Sequence, residues 1–212
     1  MQEKQITYTT SNSYSTLNAL GPRTKNVWVV FHGIGYLSRY FMKYFKDLDA
    51  DENYIIALQA PSKYYLNGEY KHVGASWLTK EDTATALKNV LTYTQQVFET
   101  EQIPEDVNLI VLGYSQGVSI ACRWIVHNKI KCDKLVIFAG SIPHEITKDD
   151  MAFLNENNTK VHSIVGDKDE WLTASRLKTE KEKGDLLFGD RISYTIFDGK
   201  HELKKELLQT VL

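Results

Sequence analysis

Five short runs of apolar, largely β-branched residues recur along the chain: Val27 to Phe31 (VWVVF), Tyr54 to Leu58 (YIIAL), Val107 to Leu112 (VNLIVL), Leu135 to Phe138 (LVIF) and Val161 to Val165 (VHSIV). Strands that are apolar throughout, rather than on alternate residues, are buried on both faces. That burial is the mark of a parallel sheet covered by helices on each side. A sixth run, Ile192 to Phe197, alternates more. The pattern therefore predicts an α/β doubly wound, mostly parallel sheet joined by right-handed crossovers.

Segments with helical spacing lie between the runs. Ala84, Leu87, Val90, Leu91, Thr94, Val97 and Phe98 recur at three and four, which predicts a helix from about Lys80 to Glu101. Thr79 and Asp82 have the spacing of a capping box at its start. Shorter helical patterns cover Leu37 to Leu48, Gln116 to His127, Lys148 to Glu156, Trp171 to Lys183 and His201 to Val211. Ahead of them, ITYTTSNSYSTL alternates β-favouring and polar residues around Ser11, Asn12 and Ser13, the pattern of an N-terminal antiparallel edge hairpin. At 212 residues with one composition regime, residues 1–212 are expected to form one domain.

Composition narrows the function classes. With a formal charge of -2 and 25% charged residues, nothing is basic enough for nucleic acid, and the charge run KTEKEK mixes signs like a solvated helix face. The start, MQEKQITYTT, lacks the apolar core of a signal peptide, and no stretch reaches the roughly 18 apolar residues of a membrane span. Cytoplasmic residence is the expectation. Cys122 and Cys132 fit neither a metal-ligand spacing nor a disulfide framework and are expected to be reduced.

In a parallel sheet of this kind, ligands bind beyond the carboxyl ends of the strands. After VNLIVL comes GYSQG, a G-x-S-x-G pattern at Gly113 to Gly117. Composition alone gives about 0.07 chance matches to that pattern in a chain this long. Its position between a buried strand and a helix is the setting a nucleophile elbow requires: the serine takes strained backbone angles and the glycines let strand and helix approach. Ser115 is thus the candidate nucleophile, and it needs a base and a group to orient that base.

Of the six histidines, His201 in DGKHE follows the last strand and satisfies the order serine, acid, histidine. Asp167 and Asp169 in GDKDE, and Asp198, are the available acids. Asp169 is preferred, because the strand must finish and turn before its carboxylate can reach across the sheet. Asp167 then reads as a turn-former. The oxyanion of a tetrahedral intermediate needs backbone amides: Gln116 follows the nucleophile, and Ile34 in FHGIG follows the first buried strand. His32 reads as a residue that fixes that loop. A phosphate-loop reading of Gly33 and Gly35 fails at Ser38, where a third glycine is required.

FHGIG, LQAPS, GYSQG, FAGSIP, GDKDE and GKH occur in that order from about Val27 to Leu212. Together they resemble the phospholipase/carboxylesterase family of α/β hydrolases, which includes acyl-protein thioesterases. The resemblance implies an α/β-hydrolase fold without a large cap domain, and Ser115, Asp169 and His201 as a catalytic triad. It further implies Ile34 and Gln116 as amide donors, a small-molecule ester or thioester as substrate, and no cofactor or metal.

Three departures fall in loops over the expected site: Tyr36, Thr79, and the run Glu170, Trp171, Leu172. The segment from Ser62 to Leu78 is long for a connection and is expected to be a binding loop or partial lid. Tyr36, Tyr64, Tyr65, Trp77 and Trp171 are candidates to line an acyl pocket. The expected activity is hydrolysis of carboxylic esters of small to medium acyl groups. Thioesterase or lysophospholipase activity, and a ligand-binding protein on a vestigial scaffold, are the alternatives.

Overall fold

A computed structural model describes residues 1–212. A seven-stranded sheet organises it. In chain order the main elements are β1 (Tyr14–Leu17), β2 (Asn26–Phe31), α1 (Ser38–Phe41), β3 (Asn53–Leu58), β4 (Ser62–Tyr65), β5 (Val73–Ser76) and α2 (Thr83–Thr100). They continue with β6 (Asn108–Tyr114), α3 (Gln116–Asn128), β7 (Lys134–Phe138), α4 (Ala152–Glu156), β8 (Lys160–Gly166), α5 (Ala174–Phe188) and β9 (Ile192–Phe197). The order across the sheet is β1-β3-β2-β6-β7-β8-β9, parallel throughout except for β1, which runs antiparallel to β3.

The apolar runs behave as their composition requires. Successive residues of one strand enter two separate cores: Val27, Val29 and Phe31 of β2 lie in one, Trp28 and Val30 in the other. Leu109 and Val111 of β6 join the first, Ile110 and Leu112 the second. The first core is closed by α2, α3 and α5 through Val90, Val97, Trp124 and Phe188. The second is closed by α1, the 3-10 turn Met42–Phe45 and the C-terminal 3-10 segment Lys205–Val211. Each residue of β2 and β3 thus leaves water whichever way it points, at roughly 1.5–3 kcal/mol for a large aliphatic side chain.

The N-terminal edge differs from expectation. It is antiparallel, but a single strand, β1, forms it rather than a hairpin, and residues before Tyr14 carry no strand. The first arm, Ile6 to Thr10, is exposed and has no apolar face to pack against, and an isolated two-stranded arm is marginal in water. The turn residues are used otherwise: the Asn12 side-chain amide donates to the Gln59 carbonyl at 2.7 Å, and the Tyr93 hydroxyl donates to the Ser13 carbonyl at 2.8 Å.

Several helix starts also lie later than their patterns predicted: α4 begins at Ala152 and α5 at Ala174, and the last segment is a 3-10 helix that starts only at Lys205. α2 begins at Thr83 after Asp82 in a left-handed conformation, so the capping box does not form; the Thr79 hydroxyl oxygen accepts from the Glu81 amide instead. The segment from Leu37 to Leu48 splits into α1 and a 3-10 turn. No helix is long and apolar enough to cross a membrane. Cys122 and Cys132 are both free, and burial pushes each thiol up to about 12.

Candidate active site

β6 is the central strand of seven, and α3 starts immediately beyond it. Between them Ser115 sits at φ 52°, ψ -120°, a region that residues with a Cβ rarely adopt. Conformations of this kind cost on the order of 1–3 kcal/mol and persist only where the surroundings over-determine them. Here the Ser115 amide donates to the Phe138 carbonyl at 2.9 Å, and the Val118 amide donates to the Ser115 carbonyl at 3.1 Å. The flanking glycines are needed for contact: a Cβ on Gly113 would lie 2.4 Å from the Val118 Cα, and one on Gly117 would lie 2.1 Å from the Phe31 carbonyl oxygen. Strand and helix close on the serine only because both lack side chains.

His201 follows β9, and its Nε2 lies 2.8 Å from the Ser115 Oγ. Its Nδ1 lies 2.7 Å from Oδ2 of Asp169, in the loop after β8. The Asp169 carboxylate is buried, and its Oδ1 accepts from the amides of Trp171 at 2.8 Å and Leu172 at 2.9 Å. Against a carboxylate acceptor Nδ1 must donate, which leaves Nε2 free to take a proton from the serine. The other acids are elsewhere. Asp167 accepts from the Gly199 amide at 3.0 Å and so ties two turns together, while exposed Asp198 pairs with Lys168.

The amides of Ile34 and Gln116 border the same cleft, and neither has an acceptor within the protein. Ile34 is placed by the turn after β2, where His32 is completely buried. The ring accepts from the Ala60 amide at Nε2 (3.1 Å), and Nδ1 donates to the Gly33 carbonyl (2.7 Å). The backbone carbonyl of His32 accepts from the Trp77 indole at 2.7 Å. Burial lowers the His32 pKa from 6.5 to about 4, so the ring is a neutral brace for the loop.

The cleft has a volume of about 550 Å³. Of the aromatic candidates, the structure brings Tyr36 and Trp171 to it and leaves three out. Trp77 is fully buried in the core against Phe31 and His32, because its indole N–H finds a partner only in the His32 carbonyl. Tyr64 and Tyr65 lie on β4, which pairs with β5 in a small hairpin of its own, and their side chains are exposed outside the cleft. Tyr65 packs on Tyr70 instead, with ring centroids 5.0 Å apart. The long segment from Ser62 to Leu78 is thus paired β-structure for half of its length, with a 3-10 turn at its tip.

Sequence reasoning missed several residues of the site. Tyr114, the variable residue before the serine, donates its hydroxyl to the His201 carbonyl at 3.0 Å and sets its ring beside the imidazole. The Gln116 side chain accepts from the Trp77 amide at 2.9 Å and donates to the Leu78 carbonyl at 2.9 Å, which ties the elbow to the end of β5. Ser119, Ser141 and Arg176 also face the cleft. Their only signal in the sequence was proximity to strand ends, and Arg176 had not even that, since it read as part of a helix surface.

This strand order, with a strained serine at the end of its central strand, is that of the α/β hydrolases. The chain belongs to the phospholipase/carboxylesterase family, whose profile matches residues 13–212, and it is a hydrolase of that family. No curated protein sequence matches it. Among solved structures, acyl-protein thioesterase 2 of Zea mays is 13% identical, with 95% of this chain and 96% of that one covered at a TM-score of 0.70. A phospholipase/carboxylesterase of Dyadobacter fermentans is 23% identical, with 97% and 96% covered at 0.65. Esterase PE8 is 22% identical, with 94% and 99% covered at 0.62. At these identities the likeness establishes the fold.

Proposed function

We propose that the chain hydrolyses carboxylic esters of small to medium acyl groups through an acyl-enzyme on Ser115, with His201 as base and Asp169 as the group that orients it. The observation that carries this reading is the unbroken hydrogen-bond line from the Asp169 Oδ2 through His201 to the Oγ of a serine held at φ 52°. The serine attacks the substrate carbonyl as Nε2 takes its proton. The amides of Ile34 and Gln116, which have no acceptor of their own, receive the negative oxygen. As the intermediate collapses, His201 returns the proton to the departing alcohol. Water then repeats the cycle on the acyl-enzyme and frees the acid.

The same machinery cleaves thioesters and lysophospholipids, since only the leaving group changes. A panel of short and long p-nitrophenyl esters, set against an acylated peptide thiol, separates these activities. The nucleophile is tested by labelling with a fluorophosphonate. The wild-type protein is expected to take one label, and Ser115→Ala is expected to take none and to lose turnover while keeping its circular dichroism. Turnover surviving in that variant would place the nucleophile elsewhere, and a folded wild type that takes no label would leave a binding protein on this scaffold.

A further inference from the structure

Arg176 is the one formally charged side chain among the residues lining the cleft that holds Ser115 and His201. It stands in the first turn of α5, and two contacts hold its guanidinium: Nη1 donates to the Trp171 carbonyl at 2.9 Å, and Nη2 donates to the Ser141 hydroxyl at 3.2 Å. A guanidinium carries five N–H donors, so most of its fork is uncommitted. No carboxylate neutralises it. Arg23 and Arg123 are paired with Asp51 and Glu145, whereas Arg176, like Arg39 and Arg191 outside the cleft, takes part in no ion pair.

The acids that could have served are turned away. Glu180, one helical turn along, accepts from the Ile142 amide at 3.2 Å. Asp169 spends Oδ1 on the Trp171 and Leu172 amides and Oδ2 on His201. Beside the guanidinium, the Ser141 oxygen accepts from Arg176, which leaves its own proton free to donate into the cleft. Ser119 is placed likewise, its oxygen accepting from the Arg123 Nη1 at 3.0 Å. One stretch of the cleft wall therefore carries an unneutralised cation with the Ser141 hydroxyl against it, and the Ser119 hydroxyl lines the same cleft. Ile34, Tyr36 and Leu172, which line the same cleft, are largely apolar.

We propose that this wall binds a second, remote oxyanion of the substrate, a carboxylate or a phosphate, so that the preferred ester is one with an anionic end. The inference rests on Ser115 being the nucleophile. A planar fork matches the two oxygens of either group, and a charge-assisted pair of this kind discriminates more sharply than a neutral contact.

The test compares kcat/KM for mono-p-nitrophenyl glutarate against p-nitrophenyl pentanoate, and for butyryl glycerol 3-phosphate against butyryl glycerol. The anionic member of at least one pair is expected to be preferred by about tenfold or more. The pair that shows the preference tells carboxylate from phosphate. Arg176→Gln should bring that ratio close to one, Arg176→Lys should restore part of it, and added salt should shrink it in the wild type. A second arm needs no turnover: calorimetric binding of glutarate and of inorganic phosphate to the Ser115→Ala protein, with and without Arg176→Gln. Binding that depends on Arg176 in a protein without esterase activity would retain the anion site and reject Ser115 as the nucleophile. Equal rates on neutral and anionic esters, or binding indifferent to Arg176→Gln, would overturn the proposal.

Discussion

Lowering the pH should loosen the turn that carries Ile34, and the size of the effect follows from one ring. His32 is buried between Phe41 and Trp77, with ring centroids 6.2 and 5.1 Å away. Its Nε2 must accept, because its partner is the Ala60 N–H, so a proton there would set two donors against each other. Burial lowers its pKa from 6.5 to about 4, partly offset by the bond to the Gly33 carbonyl. Between these values the unfolded chain binds more protons than the folded one, so stability rises with pH through the window and is lost as pH falls from 6.5 towards 4. The full difference amounts to about 3 kcal/mol, of which about 2 kcal/mol is lost by about pH 5.

The assay is urea unfolding of the wild type and of His32→Gln at about pH 7 and about pH 5. Glutamine can accept from the Ala60 amide and does not titrate. It should be less stable than the wild type at neutral pH, having lost the Gly33 contact, yet its stability should fall by about 2 kcal/mol less on acidification. His162, whose pKa burial also lowers, is common to both proteins and cancels in the comparison. Equal losses in the two proteins would refute the reasoning, since they would mean that His32 is already protonated, or solvated, in the native state.

The two aspartates of the β8 loop should separate cleanly. Asp169→Asn is expected to lower kcat by about 10⁴, as loss of the orienting carboxylate does in serine hydrolases of this design. Asp167→Asn should cost less than about tenfold, because Asp167 only ties Gly199 to the turn; steady-state kinetics on one p-nitrophenyl ester decides, and the reverse ranking would exchange their roles. At the elbow, Gly117→Ala places a Cβ 2.1 Å from the Phe31 carbonyl oxygen, a backbone atom that cannot swing away. It is expected to cost about 2–4 kcal/mol in thermal unfolding and to abolish labelling by displacing α3 from β2; a melting temperature unchanged from wild type would show that the approach is looser than described.

The parts of this molecule legible in the sequence are those where one local signal decides the outcome. Apolar runs marked the sheet because both of its faces are covered, and GYSQG marked the elbow because only glycines permit that approach. Where the strand must end singled out Asp169 over Asp167, and it is Asp169 whose carboxylate lies against His201. What escaped was set by tertiary contact. Trp77 and Tyr36 look alike as aromatic loop residues, and only the buried His32 carbonyl, which captures the Trp77 indole, separates a core residue from a cleft residue. The N-terminal hairpin had the right alternation but no surface to cover. Arg176 had no signal, since a cation in a helix is ordinarily solvated, and its place in the cleft depends on how the chain turns after Asp169.

That turn links the chemistry to the shape of the cleft. Asp169 holds the amides of Trp171 and Leu172 with one oxygen and His201 with the other, while the Trp171 carbonyl receives the Arg176 guanidinium. The bonds that orient the acid use backbone groups of residues 171 and 172, so their side chains can change without disturbing the carboxylate. Those same side chains line the cleft: Trp171 is 64% exposed at its rim, and Leu172 is buried in its wall. In this loop the sequence is therefore free to alter what binds while the geometry of Asp169 and His201 stays fixed. Of the three residues where the chain departs from the usual family run, Trp171 and Leu172 line the cleft and can change its shape while their amides keep their bonds to Asp169.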